Sequence, residues 1–533
     1  MTATAHVDTF VRDNLPPPEQ QPEFRFDLPE LRYPERLNAG DLLDRAVSRG
    51  FADRTAVQWK DGRWTYAELL AHANGVAGVL AADPDFVAGA RVLLHGGNRP
   101  WAIAAWFGVV KAGGVVVATM PLLRAPEIAT VAAKARVTHA IVEAPLYDTV
   151  RVAANMTRRG RRMWCFGDGE LEQLAGAHGG AFSNVQTAAD DPALIAFTSG
   201  TTGKPKGCVH YHRDVFAMAD TFSRSVLRPG PDEVFCGTPP FAFTFGLGGL
   251  VVFPLAAGAS VALCERPGFE ELCATVERHR ATTLFTAPTG YRALLKLREQ
   301  YDLSSLTNCV SAGETLPAAT SDAWFDATGL RIIDGIGATE MIHIFISASG
   351  EDIRPGATGK PVPGYTAALL DEDDREIEGE AQGRLAIKGP TGCRYLADPR
   401  QQTYVRRGWN VTGDVYRRDA EGYYWFVSRA DDMIVSAGYN IAAAEVEAAL
   451  LRHPAVAETA VIGVPDAERG QIVKAFVVLA DPATAGDDLR CELQNFVKGE
   501  IAPYKYPRAL EFVSELPKTQ TGKLQRFRLR EEA

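Results

Sequence analysis

The sequence contains no Cys-x-x-Cys pair and no cluster of histidines at the spacing of metal ligands. The pattern of a structural zinc site is therefore missing. Its eight cysteines stand apart from one another, and we expect free thiols in a reducing, cytoplasmic compartment. They occupy positions 165, 208, 236, 264, 273, 309, 393 and 491.

An excess of positive charge is also missing, since 56 basic residues face 66 acidic ones and the formal net charge is −10. This balance argues against binding to nucleic acid or to an anionic membrane, because both need a basic surface. One short basic cluster, at Arg158, Arg159, Arg161 and Arg162, is typical of a solvated turn.

We predict no secretory signal, because residues 1–18 lack a basic flank followed by an apolar core. A single uncharged run, Phe241–Leu263, is long enough to cross a bilayer. Pro254 and several glycines interrupt this run, so we predict a loop, a buried helix and a strand instead of a membrane span. Internal repeats and low-complexity tracts are absent.

The composition is that of an ordinary globular protein, with 46% hydrophobic and 23% charged residues. A chain of 533 residues is long enough for two or more domains. Thr65 and Glu68 have the spacing of a capping box, and apolar residues at helical spacing follow them, which predicts a helix. These apolar residues are Leu69, Ala73, Val76 and Leu80.

Strand and helix alternate through the N-terminal part of the chain. A predicted strand at Arg91–His95 is followed by a helix over Trp101–Lys111, which Pro100 opens, and by a second strand at Val115–Ala118. The same order recurs around Leu284–Leu295. Strand, helix and strand at this spacing form a βαβ unit, which predicts parallel sheets covered by helices on both faces.

Short strands and two amphipathic helices follow after about Arg429. We therefore predict a fold of the α/β class. A large N-terminal domain of βαβ-containing sheets with helices, residues 1–430, is joined at a hinge to a small α+β C-terminal domain, residues 431–533. The expected C-terminal elements are Met433–Ser436, Ala443–Leu451, Thr459–Val464, Ile472–Leu479 and Leu489–Val497.

The most specific string is Thr-Ser-Gly-Thr-Thr-Gly-Lys-Pro-Lys-Gly at residues 198–207, which follows the apolar strand Ala193–Phe197. Its glycines let backbone N–H groups approach an anion and its lysines neutralise charge, so we predict a phosphate cradle and not a flexible surface loop. It is not a Walker A loop, because two residues separate its first two glycines. The string resembles the signature loop of the adenylate-forming superfamily of acyl-CoA synthetases, peptide-synthetase adenylation domains and luciferases. This resemblance implies nucleotide binding by Thr198, Ser199, Gly200, Thr201, Thr202, Gly203 and Lys206.

A second string, Asp-Gly-Ile-Gly-Ala-Thr-Glu at residues 334–340, resembles the next motif of that superfamily and stands in the expected order. The resemblance implies that Thr339 contacts the α-phosphate and that Glu340 helps to hold Mg²⁺. We therefore predict that both residues are catalytic. It also places Gly335 and Ile336 beside the adenine. The family usually has an aromatic residue at the position of Ile336, so this chain departs from the pattern there.

A third string, at residues 410–414, keeps the Thr-Gly-Asp of a family motif and lacks its arginine. A carboxylate at this point can accept hydrogen bonds from both hydroxyl groups of a ribose. The resemblance therefore implies that Asp414 and Arg429 bind the nucleotide ribose.

Two last motifs belong to the C-terminal part. Residues 428–438 resemble the family's hinge, which implies that Asp431 is the pivot and that Gly438 leaves room for the pantetheine arm of coenzyme A. Residues 517–526 closely match the motif that carries the catalytic lysine, here Lys523. The resemblance covers nearly the whole chain from about residue 40.

The resemblance implies an AMP-forming acid–thiol ligase that uses ATP, Mg²⁺ and coenzyme A. A carboxylic acid is already ionised at pH 7, so the first step needs no general base. It needs alignment with the α-phosphorus and positive charge where pyrophosphate leaves. Thioester formation then follows a rotation of the C-terminal domain. No base for the thiol is identifiable in the sequence.

The acyl pocket of the family is lined by the segment after the phosphate loop and by residues around Glu340. In this chain aromatic and small side chains occupy those positions, which predicts a flat aromatic acid. No aspartate lies between Phe235 and Pro254 to pair an α-ammonium group, so an amino acid is not expected. The predicted substrate-binding residues are Phe241, Phe243, Thr244, Phe245, Gly246, Ala312, Gly313, Ile336 and His343.

Residues 335–345 resemble the corresponding segment of benzoate- and 2-aminobenzoate-CoA ligases. We expect 2-aminobenzoate as the acid, with benzoate as the alternative. No carrier-domain serine motif follows Lys523, which favours coenzyme A as the acceptor, with a free-standing carrier protein as the alternative. A nucleotide-binding protein without turnover and an oxidase of the luciferase kind would share these motifs. We expect a monomer or homodimer, with neither nucleic acid nor a membrane as a partner.

Overall fold

The structure of the protein is a computed structural model. It describes residues 3–156, 162–198, 205–266, 268–429, 432–436, 439–466, 469–501, 503–518 and 524–531. Within these ranges the strands form four sheets. Sheets and helices together confirm the predicted α/β class, with a large N-terminal part and a smaller C-terminal part.

The first sheet is built on the predicted βαβ unit. Its strands Arg91–His95 and Val115–Thr119 are parallel neighbours joined by the helix Pro100–Lys111. Alternate residues of these strands belong to two different hydrophobic cores, so both faces of the sheet are covered, as predicted. The strands lie in the order Arg162–Phe166, His139–Glu143, Arg91–His95, Val115–Thr119, Pro192–Thr198 and Lys206–Tyr211.

The second sheet packs against the same central layer of helices. Phe235 and Phe285 belong to the core shared with the first sheet, whereas Leu284 and Cys309 belong to a separate core around Trp324. The strands lie in the order Lys360–Pro361, Ile344–Ser347, Ile332–Gly337, Asn308–Ala312, Thr283–Thr286, Val234–Gly237, Ser260–Leu263, Thr55–Trp59 and Gly62–Thr65.

The helix Tyr66–Ala81 begins as the sequence predicts. The backbone N–H of Glu68 donates to the Thr65 hydroxyl at 3.2 Å, and the backbone N–H of Thr65 donates to the Glu68 carboxylate at 2.7 Å. The four predicted apolar positions of this helix are fully buried. Further helices of the described residues are Phe10–Asp13, Asp41–Ala46, Ala125–Lys134, Tyr147–Met156, Glu170–Ala177, His212–Met218, Phe269–His279, Pro288–Leu297, Ala318–Thr328, Gln401–Tyr404, Ala443–Leu450, Asp487–Glu500 and Arg526–Glu531.

The uncharged run Phe241–Leu263 lies inside the fold as a loop, a buried helix and a strand, which confirms the prediction. A π-helical segment ends before Pro254, which stands in the first turn of the next helical segment, where a missing backbone N–H is tolerated. Among the described residues, no helix has both the length and the apolar character needed to cross a bilayer. The helical segments of the run are Thr244–Leu247, Gly248–Val252 and Phe253–Ala257.

The third sheet is antiparallel. Its strands lie in the order Glu376–Ile377, Thr366–Leu370, Ala381–Lys388, Trp409–Arg418 and Val405–Arg406, with Tyr424–Arg429 also paired to Trp409–Arg418.

The fourth sheet contains the predicted C-terminal strands. The helices Ala443–Leu450 and Asp487–Glu500 form a separate core with it through Val446 and Leu493. Its strands lie in the order Tyr439–Ala442, Met433–Ser436, Gly470–Leu479 and Val456–Asp466, with Ala509–Phe512 beside Gly470–Leu479.

Candidate active site

The carboxyl ends of strands in the first two sheets carry several of the predicted site residues. Thr198 is the last residue of its strand in the first sheet, and Ala312 and Gly337 end neighbouring strands of the second. In open sheets of parallel strands, ligands bind outside these carboxyl ends. The predicted nucleotide and acyl positions therefore lie where the fold favours a ligand.

Two residues of the predicted phosphate cradle are neighbours, with Thr198 opposite Lys206 on antiparallel strands. The ammonium group of Lys206 donates to the Tyr395 hydroxyl at 2.8 Å and lies 3.5 Å from Oε1 of Glu340. The predicted cradle residues Ser199, Gly200, Thr201, Thr202 and Gly203 lie outside the described residues. The structure thus brings the lysine of the first motif to the glutamate of the second.

Glu340 is almost fully buried, with 7% of its surface exposed. The Tyr395 hydroxyl donates to its Oε1, the same oxygen that faces Lys206, whereas Oε2 takes part in neither contact. Burial, followed by the charge of Glu340, raises the pKa of Tyr395, so the phenol keeps its proton and remains a donor. One oxygen of this carboxylate is therefore held by a neutral donor and a cation.

The turn Thr339–Met341, which carries Glu340, is held at both ends. Nε2 of His210 lies 2.8 Å from the Thr339 carbonyl oxygen, and the Thr391 hydroxyl donates to the Met341 carbonyl at 2.8 Å. Ile342 follows at φ +65°, a conformation that a β-branched residue adopts only under constraint. The two hydrogen bonds supply part of that constraint.

A fully buried charge cluster, which sequence reasoning missed, lies behind this turn. Asp214 accepts a hydrogen bond from Nη1 of Arg394 at 2.7 Å and lies 3.7 Å from Nδ1 of His210. Although burial opposes both shifts, Arg394 holds the pKa of Asp214 well below its usual range, and Cys208 and Asp214 raise the pKa of His210. Asp214 and Arg394 are 180 residues apart, so no local pattern could have revealed the cluster.

The third sheet brings together the two residues predicted to bind the ribose. Asp414 and Arg429 are direct partners on antiparallel strands, and Nη1 of Arg429 donates to Oδ1 of Asp414 at 3.0 Å. Asp414 is buried, whereas 43% of the Arg429 side chain is exposed. Burial raises the pKa of Tyr404, and the charges of Glu340 and Asp414 add to the rise. The two residues predicted to bind the ribose are therefore neighbours in the structure.

The small residues of the predicted acyl pocket lie on neighbouring strands. Ala312 and Gly335 are direct partners in the second sheet, and Gly313 follows at φ +90°. A Cβ atom on Gly335 would lie 2.7 Å from the side chain of Ile344, so the close approach of these chains requires glycine. Ile336 is half-buried and packs against the main core.

The aromatic residues of the predicted pocket surround the start of the helical segment Thr244–Leu247. Phe241 and Thr244 are buried, and Phe243 and Phe245 are half-buried. Phe241, Phe243 and Thr244 line a small cavity against the first sheet and its helix Pro100–Lys111. These three residues therefore form one wall of the cavity, whereas the ring of Phe245 packs against those of Phe285 and His343.

His343 lies in a cage of aromatic rings. The ring centroids of Phe222, Phe245 and Phe253 lie 5.4, 5.8 and 4.6 Å from that of the imidazole. Neither ring nitrogen has a hydrogen bond among the described residues, and burial lowers the pKa of His343 to about 3. The imidazole is therefore neutral at pH 7, and its role beside the acid stays a prediction.

We expect His343 to make the fold sensitive to acid. Its pKa is about 3 in the folded protein and 6.5 in the unfolded chain, so below pH 6.5 the unfolded chain binds the extra proton and stability falls toward pH 3. Between these two pKa values, this histidine lowers the free energy of unfolding by up to about 1.4 kcal/mol for each pH unit. Thermal unfolding should therefore show a smaller fall in Tm between about pH 7 and about pH 5 for His343→Leu than for the wild type.

The exposed His178 supplies the control for this measurement. His178→Gln should follow the wild-type dependence of Tm on pH. A His343→Leu curve that runs parallel to the wild-type curve would contradict the assignment of acid sensitivity to His343.

Three predicted residues, Asp431, Gly438 and Lys523, lie outside the described residues, so their roles remain predictions. Asp334 is the first residue of the motif at residues 334–340, and the resemblance implies no role for it. Its Oδ1 is buried without a hydrogen bond among the described residues, and burial raises its pKa to about 7. The sequence signal for Asp334 was its position next to Gly335 in the motif at residues 334–340.

The comparisons with known proteins agree with this geometry. Residues 43–395 match the family of AMP-binding enzymes, and residues 445–523 match the C-terminal domain of AMP-binding enzymes. The benzoate–CoA ligase of Thauera aromatica is 36% identical over 520 residues, which cover 94% of this chain and 97% of that enzyme.

Two solved structures are similar over almost the whole chain. The anthranilate CoA ligase AuaEII in complex with anthranoyl-AMP has a TM-score of 0.90 and 35% identity, covering 95% of this chain and 99% of that one. A benzoate CoA ligase from Burkholderia xenovorans LB400 has a TM-score of 0.83 and 32% identity, covering 92% and 99%. The chain belongs to the family of AMP-binding enzymes. Within that family it is an AMP-forming acid–thiol ligase.

Proposed function

We propose that the protein is an ATP-dependent aryl-CoA ligase whose preferred acid is 2-aminobenzoate. The carboxylate attacks the α-phosphorus of ATP to give aryl-AMP and pyrophosphate, and the thiol of coenzyme A then displaces AMP to give the thioester. The observation that carries the proposal is the contact between Lys206 and Glu340, which lies at the carboxyl ends of the strands Pro192–Thr198 and Ile332–Gly337. The aromatic residues of the segment 241–245 follow the carboxyl end of the strand Val234–Gly237 in the second of these sheets. The likeness to benzoate and anthranilate CoA ligases supports an aromatic acid.

In the first step, the residues around the turn Thr339–Met341 bind and orient ATP. Thr198 and Thr339 offer hydroxyl donors, and Lys206 supplies positive charge close to the phosphates. Asp414 and Arg429 bind the ribose, with the buried carboxylate already oriented by the arginine. No proton has to leave the acid, because a carboxylic acid is ionised at pH 7.

Glu340 fits the requirements of a magnesium ion that enters with ATP. Mg²⁺ is usually bound through one or two carboxylates together with substrate phosphates. The Oε2 atom of Glu340 takes part in neither of its contacts with Lys206 and Tyr395. In the described part of the chain no group of three or more His, Cys, Asp or Glu residues could hold a metal by itself. When bound, Mg²⁺ would neutralise charge on the departing pyrophosphate.

The C-terminal residues have separate roles in the two steps. We place the domain boundary between residues 430 and 431, with Asp431 as the hinge, and the separate core of the fourth sheet supports this division. Lys523 serves adenylate formation, and rotation then presents the segment near Gly438 to coenzyme A. A free-standing carrier protein is the alternative acceptor.

A panel of acids tests the proposal. Acid-dependent release of pyrophosphate is measured with and without coenzyme A for 2-aminobenzoate, benzoate, 4-hydroxybenzoate, 4-coumarate and a medium-chain fatty acid, with mass detection of the thioester. We expect the highest kcat/KM for 2-aminobenzoate. A higher value for benzoate would overturn the choice of acid, and release without thioester would overturn coenzyme A as the acceptor. No release with any acid would overturn the ligase itself.

A further inference from the structure

A loop of the first sheet reaches the backbone of the acyl-pocket wall through Asn98. Its Nδ2 donates to the Pro239 carbonyl at 3.0 Å, and its Oδ1 accepts from the Phe241 N–H at 2.9 Å. Both partners are main-chain groups, so Asn98 fixes the path of residues 239–241 and not only one side chain. An amide suits this position because it donates and accepts at once.

The loop that carries Asn98 is itself anchored on both sides. The carboxylate of Glu143 accepts hydrogen bonds from the Gly97 N–H at 2.8 Å and from Nε of Arg99 at 2.9 Å. Pro100 then begins the helix Pro100–Lys111 directly after this loop. The position of Asn98 is therefore set by the first sheet and not by the wall that it binds.

On its other side, the segment Pro239–Phe241 rests against Gly246. A Cβ atom on Gly246 would lie 2.2 Å from the Pro240 carbonyl oxygen and 2.7 Å from that of Pro239. The Phe243 N–H also donates to the Pro240 carbonyl at 3.0 Å. Contacts on two sides thus leave this segment little freedom to move.

Phe241 links the segment Pro239–Phe241 to the proposed substrate site. Its side chain lines two small cavities together with Trp106, Ala118 and Leu247. A shift of the backbone at residues 239–241 would move this ring and change the width of the pocket. Neither hydrogen bond of Asn98 reaches the residues assigned to the nucleotide.

We propose that Asn98 is a positioning residue that selects flat aromatic acids by fixing the segment Pro239–Phe241, whose last residue belongs to the acyl-pocket wall. This inference rests on the proposed function, because it takes Phe241 as part of the acyl pocket. Loss of the two hydrogen bonds lets the wall move, so binding of the aromatic acid weakens while binding of ATP is unchanged. Discrimination against a flexible aliphatic acid falls for the same reason.

The test compares Asn98→Ala with the wild type in the pyrophosphate assay. We expect the KM for the preferred aryl acid to rise about tenfold, which corresponds to the loss of about 1.4 kcal/mol of binding. The KM for ATP should change less than about twofold. The ratio of kcat/KM for the aryl acid to that for a medium-chain fatty acid should fall about tenfold.

Two further variants make the result specific. Asn98→Asp keeps an acceptor for the Phe241 N–H but cannot donate to Pro239, so it should also raise the KM for the acid alone, and it carries the test if Asn98→Ala does not fold. The matched control is Asn74→Ala, because Asn74 likewise donates to a backbone carbonyl, that of Gly180 at 2.9 Å, away from the pocket. Its two KM values should equal those of the wild type.

The outcomes separate this inference from the proposed function. If the wild type releases no pyrophosphate with any aryl acid, the proposed function fails. If the wild type is active and the Asn98 variants leave the KM for the acid and the acid preference unchanged, Asn98 has no positioning role. Equal increases in the KM values for acid and ATP would also overturn the inference, because they would indicate general damage to the fold.

Discussion

Glu340→Gln should lower acid-dependent release of pyrophosphate about 10²–10³-fold, the size of effect seen when one preorganised electrostatic group is removed from an active site. The amide keeps the shape of the side chain and can still accept a hydrogen bond from Tyr395. It lacks the negative charge that, in the proposed function, holds Mg²⁺ beside the phosphates. The expected loss therefore comes from charge and not from packing.

The two half-reactions distinguish this role from a general one. Glu340→Gln supplied with chemically prepared aryl-AMP and coenzyme A should form thioester at a rate within about threefold of the wild type, because pyrophosphate has already left. Equal losses in both half-reactions would contradict the assignment of Glu340 to the first step. The control is Glu233→Gln, since Glu233 accepts a hydrogen bond from Thr283 at the amino end of the second sheet, away from the site. This variant should retain both activities.

Arg394→Ala should destabilise the protein by about 3–5 kcal/mol, the cost of leaving one member of a buried ion pair without its partner. Arg394 and Asp214 are both fully buried, and the guanidinium carbon lies 4.2 Å from the ring centroid of Phe24 and 3.9 Å from that of Tyr211. Removal of the arginine takes away the cation that Asp214 contacts at 2.7 Å, leaves His210 at 3.7 Å beside the buried carboxylate, and opens a cavity between two rings. Denaturation followed by tryptophan fluorescence measures the loss.

Two further substitutions serve as comparisons for Arg394→Ala, one intermediate and one control. Arg394→Lys keeps the charge and loses the planar stacking surface, so its stability should fall between those of the wild type and of Arg394→Ala. Arg375→Ala removes an exposed arginine that pairs with Asp373 at 3.3 Å, and it should leave the denaturation midpoint unchanged. A midpoint for Arg394→Ala as high as that of Arg375→Ala would show that the buried pair contributes nothing.

Local patterns predicted the elements of the fold well because their causes are local. The capping box of Thr65 and Glu68 and the strand Arg91–His95 depend on neighbours within a few residues, and the structure confirms both. The strand Val456–Asp466 extends beyond the predicted Thr459–Val464, because its ends pair with Gly470–Leu479. A pairing partner lengthens a strand in a way that no local pattern records.

For the candidate site, the sequence by itself determined which motifs are present and hence the family, and the structure brings Lys206 and Glu340 together as those motifs imply. Only the tertiary structure decided what holds them. Tyr395 reaches Glu340 across 55 residues, and Asn98 reaches Phe241 across 143. Such contacts depend on how separate sheets pack, whereas a motif records only residues that are adjacent in the chain. The motifs that identify the family were therefore readable in the sequence, whereas the contacts that Tyr395 and Asn98 make were not.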